Sequence, residues 1–454
     1  MKPWHIFLPD NPSSHTPWPA SLILLFGFAG LIIIGTILLL LPISSQSGEY
    51  TNVIDAFFTA TSAVCVTGLI VFDTADYWSF FGRAVIFLLI QLGGFGFMTS
   101  ATIFLLALRR RIGLQERLLI SESLGLTRLG NLVSLVKKTA VFCIAAEIIG
   151  AIIFMIQFSA DFSFGKAAWL SLFHSVSAFN NAGFDLFGGY QSLTGYNDNA
   201  LVLITTALLI ITGGISYLVL SNVITVRKWD RFTLDTKFIL VTTAALLIIG
   251  IILVMITEWN NTHTLGLMPF SQKLLNAFFL SATARTAGFS SINMGNWANY
   301  TLFFTMLLMF IGGASGSTAG GIKVNTLGTL IATVWATVKG KVKPEAFGRQ
   351  LNGQLINRAV TLIMVSLGVI SLSVFLLTIT EDVPFLNLLF ETFSAFGTVG
   401  LSTGITPGLS IAGRIIIIGT MFIGRLGPLT LVLALVQRQK TTLYKYPEEQ
   451  IRIG

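Results

Sequence analysis

"FETFSAFGTVGL", residues 390–401, places Thr-Val-Gly directly after a short apolar run, in a chain that is otherwise mostly hydrophobic. The stretch recurs as "DAFFTATSAVCVTGL" (55–69), "LSLFHSVSAFNNAGF" (170–184) and "LNAFFLSATARTAGF" (275–289). The four copies align on glycines spaced about 110 residues apart, which indicates an internal repeat. These glycines are Gly68, Gly183, Gly288 and Gly400, and a Phe precedes each by ten positions: Phe58, Phe173, Phe278 and Phe390.

The composition is that of an integral membrane protein. Of 454 residues, 54% are hydrophobic and 11% are charged, against roughly 25% charged in a soluble domain. Runs such as "SLILLFGFAGLIIIGTILLLL" (21–41) are long enough to cross the bilayer as a helix. Residues 1–18 are polar and proline-containing, and we interpret them as a short cytoplasmic segment rather than a signal peptide.

Each repeat contains the same four parts in the same order. In the first repeat we predict an outer helix at 20–42, a re-entrant helix at 53–63, an extended stretch at 64–69 and an inner helix at 79–108. The later outer helices are predicted to begin near 137, 237 and 357, and the later inner helices near 199, 300 and 412. Two crossings and one dip return the chain to its starting side, so all four repeats share one orientation and surround an axis.

The predicted fold is therefore an all-α polytopic membrane protein with four helix, pore-loop, helix repeats around a central pore. Inverted repeats, which place substrate between halves of opposite orientation, would need an odd number of spans in each repeat. The predicted boundaries are 1–18 for the N-terminal segment, 19–118, 119–230, 231–345 and 346–440 for the four repeats, and 441–454 for a cytoplasmic tail.

The net charge of +8 follows this topology. Basic residues gather in four joints, 109–117, 227–237, 339–349 and 437–440, whereas the joints between them are richer in acids. The positive-inside rule places the basic joints and both termini in the cytoplasm. A basic patch that binds nucleic acid is the competing interpretation, and we predict no nucleic-acid partner, because the charge alternates with the spans.

Four extended stretches that converge on one axis would present a ring of backbone carbonyls. Irregular backbone at membrane depth survives only where it is buried in protein or lines a water-filled cavity. The predicted ion-binding filter consists of Val66, Thr67 and Gly68; Asn181, Ala182 and Gly183; Thr286, Ala287 and Gly288; and Thr398, Val399 and Gly400. No ring of carboxylates is present in this set, so selection would depend on backbone dipoles. The alternative is that the repeated Phe and Gly only allow the helices to pack closely.

Two features below the filter are candidate gates. The stretch "GGASGSTAGG" (312–321) interrupts the third inner helix and is predicted to form an intramembrane loop. Its residues are Gly312, Gly313, Ala314, Ser315, Gly316, Ser317, Thr318, Ala319, Gly320 and Gly321. A close-packed seam or a phosphate-binding loop are the alternatives, but no GK[ST] follows. The second candidate is Arg425, which stands where the other inner helices have glycine. It is either a barrier in the ion path or a structural residue bound to neighbouring carbonyls.

Other polar residues are weaker candidates. His174 is expected to be packed rather than a ligand, Asp185 to attract cations or cap a turn, and Arg285 to brace the filter by binding carbonyls. Glu147 and Glu391 require partners if they are buried, and the sequence does not indicate which. Cys65 and Cys143 are expected to be buried free thiols. No catalytic constellation is present, and we predict no enzyme activity.

Five motifs carry a resemblance to a known family: "SAFNNAGF" (177–184), "TARTAGF" (283–289), "SAFGTVGL" (394–401), "FIGGASGSTAGGIK" (310–323) and "FIGRLGPLT" (422–430). With them the whole chain resembles the Trk/Ktr/HKT superfamily of potassium transporters, and within it the bacterial KtrB subunits. The resemblance implies sodium-dependent potassium uptake in a bacterial inner membrane by a homodimer. It also implies a cytoplasmic KtrA-type ring that binds ATP or ADP. An alternating-access cation carrier and a structural membrane scaffold are the alternatives.

Overall fold

The computed structural model describes residues 20–96, 132–341 and 343–427, and nearly all of this chain is helical. Four helices in these ranges are long and apolar enough to cross a membrane, or five if one sharply bent pair counts as a single span. The predicted segments 1–18 and 441–454, and the basic joints at 109–117 and 437–440, lie outside the described residues.

The four long helices are the outer helices of the four repeats, and the predicted starting positions are confirmed to within five residues. They span Ala20–Leu40, Leu132–Asp161, Leu234–Glu258 and Gly353–Thr380. Their surfaces carry many exposed isoleucine and leucine side chains, such as Ile152 and Ile256, as expected of helices that face lipid.

A shorter helix follows each outer helix and ends immediately before the extended stretch. These pore helices span Val53–Val64, Phe164–Phe179, Phe270–Thr283 and Phe385–Gly397. They have 12 to 16 residues, somewhat more than predicted, and are still too short to cross the bilayer. Their C-terminal ends, which carry the negative end of the helix dipole, lie at the base of the extended stretches.

The inner helices span Phe80–Phe95, Ala200–Ile215, Asn299–Phe310 and Ile411–Leu426. The prediction of a continuous first inner helix to residue 108 is wrong, because the helix ends at Phe95 and Gly96 adopts φ 76°. The second inner helix also breaks, at Ser216 with φ 77°, and Tyr217–Val226 continues at an angle of 89°. In the fourth repeat the helix ends before Gly427, with φ 84°. In the described residues an inner helix thus ends at the equivalent place in every repeat, whereas the sequence indicated such an end only in the third.

The repeats close into a ring through one recurring contact. Each pore helix packs against the inner helix of the preceding repeat, and the pore helix of repeat 1 packs against the inner helix of repeat 4. An ion pair between Arg414 of repeat 4 and Asp55 of repeat 1 reinforces this last seam. The expected arrangement of four repeats around one axis is confirmed.

One element was not predicted. Between Val324–Val338 and the fourth outer helix lies a two-stranded antiparallel hairpin, β1 (Glu345–Ala346) and β2 (Arg349–Gln350). Phe347 and Gly348 in its turn have φ of 49° and 73°, the left-handed pair that a tight hairpin requires. The Phe347 ring packs against Trp229 and Phe238, which fixes the hairpin to the joint between repeats 2 and 3.

Candidate ion pathway

The extended stretches share one unusual backbone conformation. The second residue before each filter glycine is left-handed although it is not glycine: Val66 (φ 56°), Asn181 (58°), Thr286 (78°) and Thr398 (49°). The glycines are left-handed as well, with φ of 90°, 71°, 78° and 92° for Gly68, Gly183, Gly288 and Gly400. Such values are costly for residues with a side chain and persist only where the surrounding structure enforces them. Four identical outliers in four diverged sequences indicate a backbone built for one purpose.

Hydrogen bonds show which way these backbones face. Gly68 and Gly400 donate their N–H groups to the hydroxyls of Ser62 and Ser394, at 3.1 and 3.0 Å, on their own pore helices. The residue before each glycine likewise donates to a pore-helix carbonyl, for example Thr67 to the Ser62 carbonyl at 2.8 Å. Because the N–H groups face the supporting helix, the carbonyls of the same peptides are free to face the axis.

The third repeat has alanine at the pore-helix position where the other three repeats have serine. Its equivalent position is Ala282, and the next residue, Thr283, donates its hydroxyl to the Phe289 carbonyl at 2.8 Å. In repeat 2 the hydroxyl of Ser177 makes the same type of bond to the Phe184 carbonyl, at 2.7 Å. Each stretch is therefore tied to its pore helix, by one of two hydrogen-bond patterns.

The four glycines form a closed ring of contacts between repeats. A Cβ atom added to any of them would lie within 2.8 Å of a carbonyl oxygen in the next repeat. The pairs are Gly68 with Ala182, Gly183 with Ala287, Gly288 with Val399, and Gly400 with Thr67. Glycine is therefore required at each position for two reasons: its φ is left-handed, and the neighbouring carbonyl leaves no space for a Cβ atom.

Above this ring lies an open vestibule of about 790 Å³, which all four glycines line. Asp185 is the carboxylate among its described lining residues, and Asp185 accepts a hydrogen bond from the Phe187 N–H at 3.1 Å. Burial raises the pKa of Asp185 to about 7, with a smaller contribution from the nearby Asp73 and Asp76. Asp185 thus caps a turn and lines the vestibule, and its attraction of cations stays a prediction.

The stretch 312–321 forms the expected loop below the ring. The third inner helix ends at Phe310, and the chain becomes helical again at Val324. The loop is fastened to the broken inner helix of repeat 2, because Ala314 donates its N–H to the Gly214 carbonyl at 2.8 Å. At its far end Gly320 lies directly under the filter, where an added Cβ would overlap the Thr398 hydroxyl.

Arg425 connects this loop to the rest of the ring. Its guanidinium donates to the carbonyl of Thr318 in the loop and to the carbonyl of Gly93 in the first inner helix. Lys323 donates to the Ala319 carbonyl at 2.5 Å, so two cationic side chains hold consecutive loop carbonyls. Arg425 is therefore tied to neighbouring carbonyls, as one of the two alternatives expected, and its role as a barrier in the ion path stays a prediction.

The side chains of the filter stretches differ between the repeats. The side chains of Asn181 and Thr286 lie 3.1 Å apart and link repeats 2 and 3. The hydroxyls of Thr67 and Thr398 are fully buried and have no hydrogen-bond partner in the described part of the chain.

Several other expectations can be compared with the structure. His174 is packed among the rings of Phe154, Phe158, Phe187 and Phe289, as expected. The bracing of filter carbonyls by Arg285 is not observed: the side chain is buried, and its Nε has no partner among the described residues.

Glu147 and Glu391, whose partners the sequence did not indicate, both accept hydrogen bonds in the structure. Glu147 accepts hydrogen bonds from Asn180 at 2.9 Å and Gln91 at 3.1 Å, and Glu391 accepts one from Thr406. These partners lie between 15 and 56 residues away in sequence and carry no signal that would identify them. Both cysteines are buried free thiols, as predicted.

Fold and site together define a pore-loop membrane transporter for cations. The chain matches the TrkH family of cation transport proteins over residues 27–443. It is 42% identical to the potassium/sodium uptake protein NtpJ of Enterococcus hirae, over 94% of this chain and 96% of the relative. It is 43% identical to the Ktr system potassium uptake protein B of Bacillus subtilis, over 95% and 96% of the two chains.

The crystal structure of the potassium transporter TrkH from Vibrio parahaemolyticus has the same fold, with a TM-score of 0.73 at 19% identity, over 94% of this chain and 87% of that one. The protein described here belongs to the TrkH cation transport family. It is a transporter and not an enzyme, as the sequence predicted.

Proposed function

We propose that this protein takes up potassium across the plasma membrane through a filter made of backbone carbonyls. The observation that carries the proposal is the repeated left-handed pair, closed into a ring by Gly68, Gly183, Gly288 and Gly400. Carbonyl oxygens in such a ring replace the hydration shell of a dehydrated monovalent cation. The twelve filter positions from Val66 to Gly400 predicted from the sequence are the proposed ion ligands, and potassium is the transported ion.

The names of similar proteins support this choice of ion. Relatives that share about two fifths of their residues with this chain, over nearly its whole length, are potassium uptake proteins, and one is a potassium/sodium uptake protein. The chemistry of the filter is consistent with an alkali cation, because its described ligands are neutral oxygens. Sodium is the proposed coupling or activating ion.

Flux is gated by the loop 312–321 and by Arg425. The loop lies under the Thr398 hydroxyl, and Arg425 holds it through the Thr318 carbonyl. A fixed cation at this level repels potassium and also keeps the loop in place. Opening requires the loop to break its hydrogen bonds to Arg425 and Gly214. The loop then no longer obstructs the path below the filter, and the guanidinium group of Arg425 can move.

The proposed assembly is a homodimer in a bacterial inner membrane, with both termini in the cytoplasm and a KtrA-type nucleotide-binding ring below. The existence of a multi-component system is supported by the relatives named as component B of a Ktr system. The exposed basic residues Arg227, Lys228 and Lys339 lie at the ends of helices on the side expected to face the cytoplasm. ATP or ADP would bind to the partner ring and not to this chain.

Uptake in potassium-starved cells that lack their own potassium systems tests the proposal. Expression of this chain with its regulatory ring is expected to restore growth at micromolar potassium and to accumulate rubidium in preference to sodium. Omission of sodium is expected to slow uptake. A chain that reaches the membrane but accumulates sodium and rubidium equally would refute the potassium filter.

A further inference from the structure

The residue that follows the repeated Phe of each pore helix differs in all four repeats. It is Thr59 in repeat 1, His174 in repeat 2, Phe279 in repeat 3 and Glu391 in repeat 4. All four side chains are buried behind the filter, with 2% exposure or less. A position with the same location in each repeat but with four different chemistries indicates a separate task in at least one of them.

Only in repeat 4 does this side chain reach the segment beyond the filter through a hydrogen bond observed in the described residues. Thr59 donates within its own helix to the Asp55 carbonyl, at 2.9 Å. Both ring nitrogens of His174 lack partners in the described residues. Glu391, by contrast, accepts a hydrogen bond from Thr406, six residues past Gly400.

From Thr406 the network continues into the turn that leaves the filter. The hydroxyls of Thr406 and Ser402 lie 3.1 Å apart, and Ser402 accepts a hydrogen bond from the Gly404 N–H at 3.0 Å. Both ends of the turn are thereby connected to one carboxyl group. These three turn residues also line the vestibule, so the network fixes the rim that an incoming cation meets first.

The same pore helix holds the filter itself. Ser394 lies three residues after Glu391, so both side chains lie on one face of the helix. The hydroxyl of Ser394 accepts a hydrogen bond from the Gly400 N–H at 3.0 Å. Glu391 and Ser394 therefore fasten the two ends of the segment 400–406 to a single rigid element. From the other side Arg414 donates to the Pro407 carbonyl at 3.0 Å.

We infer that Glu391 is a positioning residue for ion selection, which acts through Thr406 to hold the fourth filter strand and its outer turn in register. The inference rests on the proposed carbonyl filter. Repeat 4 is the copy that carries Thr-Val-Gly, and a buried carboxyl group holds the turn that follows its filter stretch. In repeat 2 the buried carboxyl group of Glu147 binds Asn180 at the base of the filter stretch instead, and does not reach the turn beyond it.

The test compares Glu391→Leu, Glu391→Gln, Thr406→Val and Thr406→Ser in the full chain, with Thr59→Val as the matched control. Uptake of potassium and sodium is measured as half-saturation and maximal rate, normalised to the amount of protein in the membrane. Glu391→Leu and Thr406→Val are expected to raise the half-saturation for potassium about tenfold, the effect of losing a hydrogen bond to a buried carboxyl group. Discrimination against sodium should fall in parallel.

The conservative variants separate positioning from general stability. Gln can still accept from Thr406, and Ser can still donate, so Glu391→Gln and Thr406→Ser should stay close to the wild type. The double variant Glu391→Leu/Thr406→Val should have the same potassium half-saturation as either single variant, because each substitution removes the same hydrogen bond. Thr59→Val removes a buried hydroxyl at the equivalent position and should leave both half-saturation values unchanged.

If Glu391→Leu fails to reach the membrane, Thr406→Val decides. Unchanged potassium half-saturation and sodium discrimination in Thr406→Val, or additive effects in the double variant, would overturn the inference. A wild-type protein that does not distinguish potassium from sodium would instead refute the proposed filter, so the two failures can be told apart.

Discussion

Replacement of Gly288 by serine should damage ion selection, and the structure indicates by how much. Gly288 has φ 78°, and an added Cβ would overlap the Val399 carbonyl oxygen while lying 3.0 Å from the Cα of Gly400. The left-handed conformation costs a side-chain-bearing residue about 1–2 kcal/mol. Relief of the overlap adds about 1–3 kcal/mol. The filter must therefore absorb roughly 2–5 kcal/mol, by moving the Val399 carbonyl away from its position.

Only part of this free energy needs to act on the ion-bound state to be measurable. Each 1.4 kcal/mol corresponds to about a tenfold change in affinity, so the half-saturation for potassium in Gly288→Ser should rise at least about tenfold. Discrimination against sodium should narrow at the same time. Rubidium and sodium uptake in potassium-starved cells, corrected for protein in the membrane, measures both.

Gly368→Ser is the matched control, because Gly368 lies in the fourth outer helix and an added Cβ there meets nothing within 4 Å. It should transport as the wild type does. A Gly288→Ser protein with wild-type half-saturation and selectivity would show that the left-handed ring does not bind the ion, since the substitution cannot leave that carbonyl in place.

Three further perturbations follow from the same geometry. Deletion of residues 314–319 should raise the maximal uptake rate, because it removes the loop from beneath the filter; an unchanged or lower rate would indicate a packing element. Arg414→Leu leaves the buried Asp55 without its cationic partner and should destabilise the detergent-solubilised protein by roughly 1–3 kcal/mol, seen as a lower melting temperature. An unchanged melting temperature would mean that the seam between repeats 1 and 4 does not need this pair. Since the pKa of Asp185 is raised to about 7, its charge is present above this pH and lost below it. Uptake from dilute potassium should therefore decline as the external pH falls from 8 to 6, and Asp185→Asn should show the low-pH rate throughout; a pH profile that persists in Asp185→Asn would assign it to another group.

The repeat is the part of the structure that sequence reasoning predicts well. Alignment of the glycines places all four pore helices and filter stretches, because a short apolar run followed by glycine differs clearly from a membrane-spanning run. The outer helices are equally evident, as in the nearly unbroken apolar sequence of Leu234–Glu258. Both features depend on composition along the chain, which a single sequence contains.

The breaks in the inner helices are harder to predict. At Ser216 a left-handed residue with a side chain interrupts the helix shortly after Gly213 and Gly214, a glycine pair too short to predict a break by itself. The hydrogen bonds from Ala314 and Thr318 to these two glycines show that the loop supports the break. The tie between Glu391 and Thr406 is invisible for a similar reason, because the filter lies between the two residues in sequence. Tertiary contacts decide these features.

The position of Arg425 has a consequence for how such a protein arises. In an assembly of four identical subunits, any residue placed beside the axis is present four times, and four guanidinium groups at this level would exclude cations altogether. Joining the four units into one polypeptide removes this restriction. The present chain keeps glycine at Gly94, Gly214 and Gly313 and has arginine at the fourth equivalent position, an asymmetry that four identical subunits could not have.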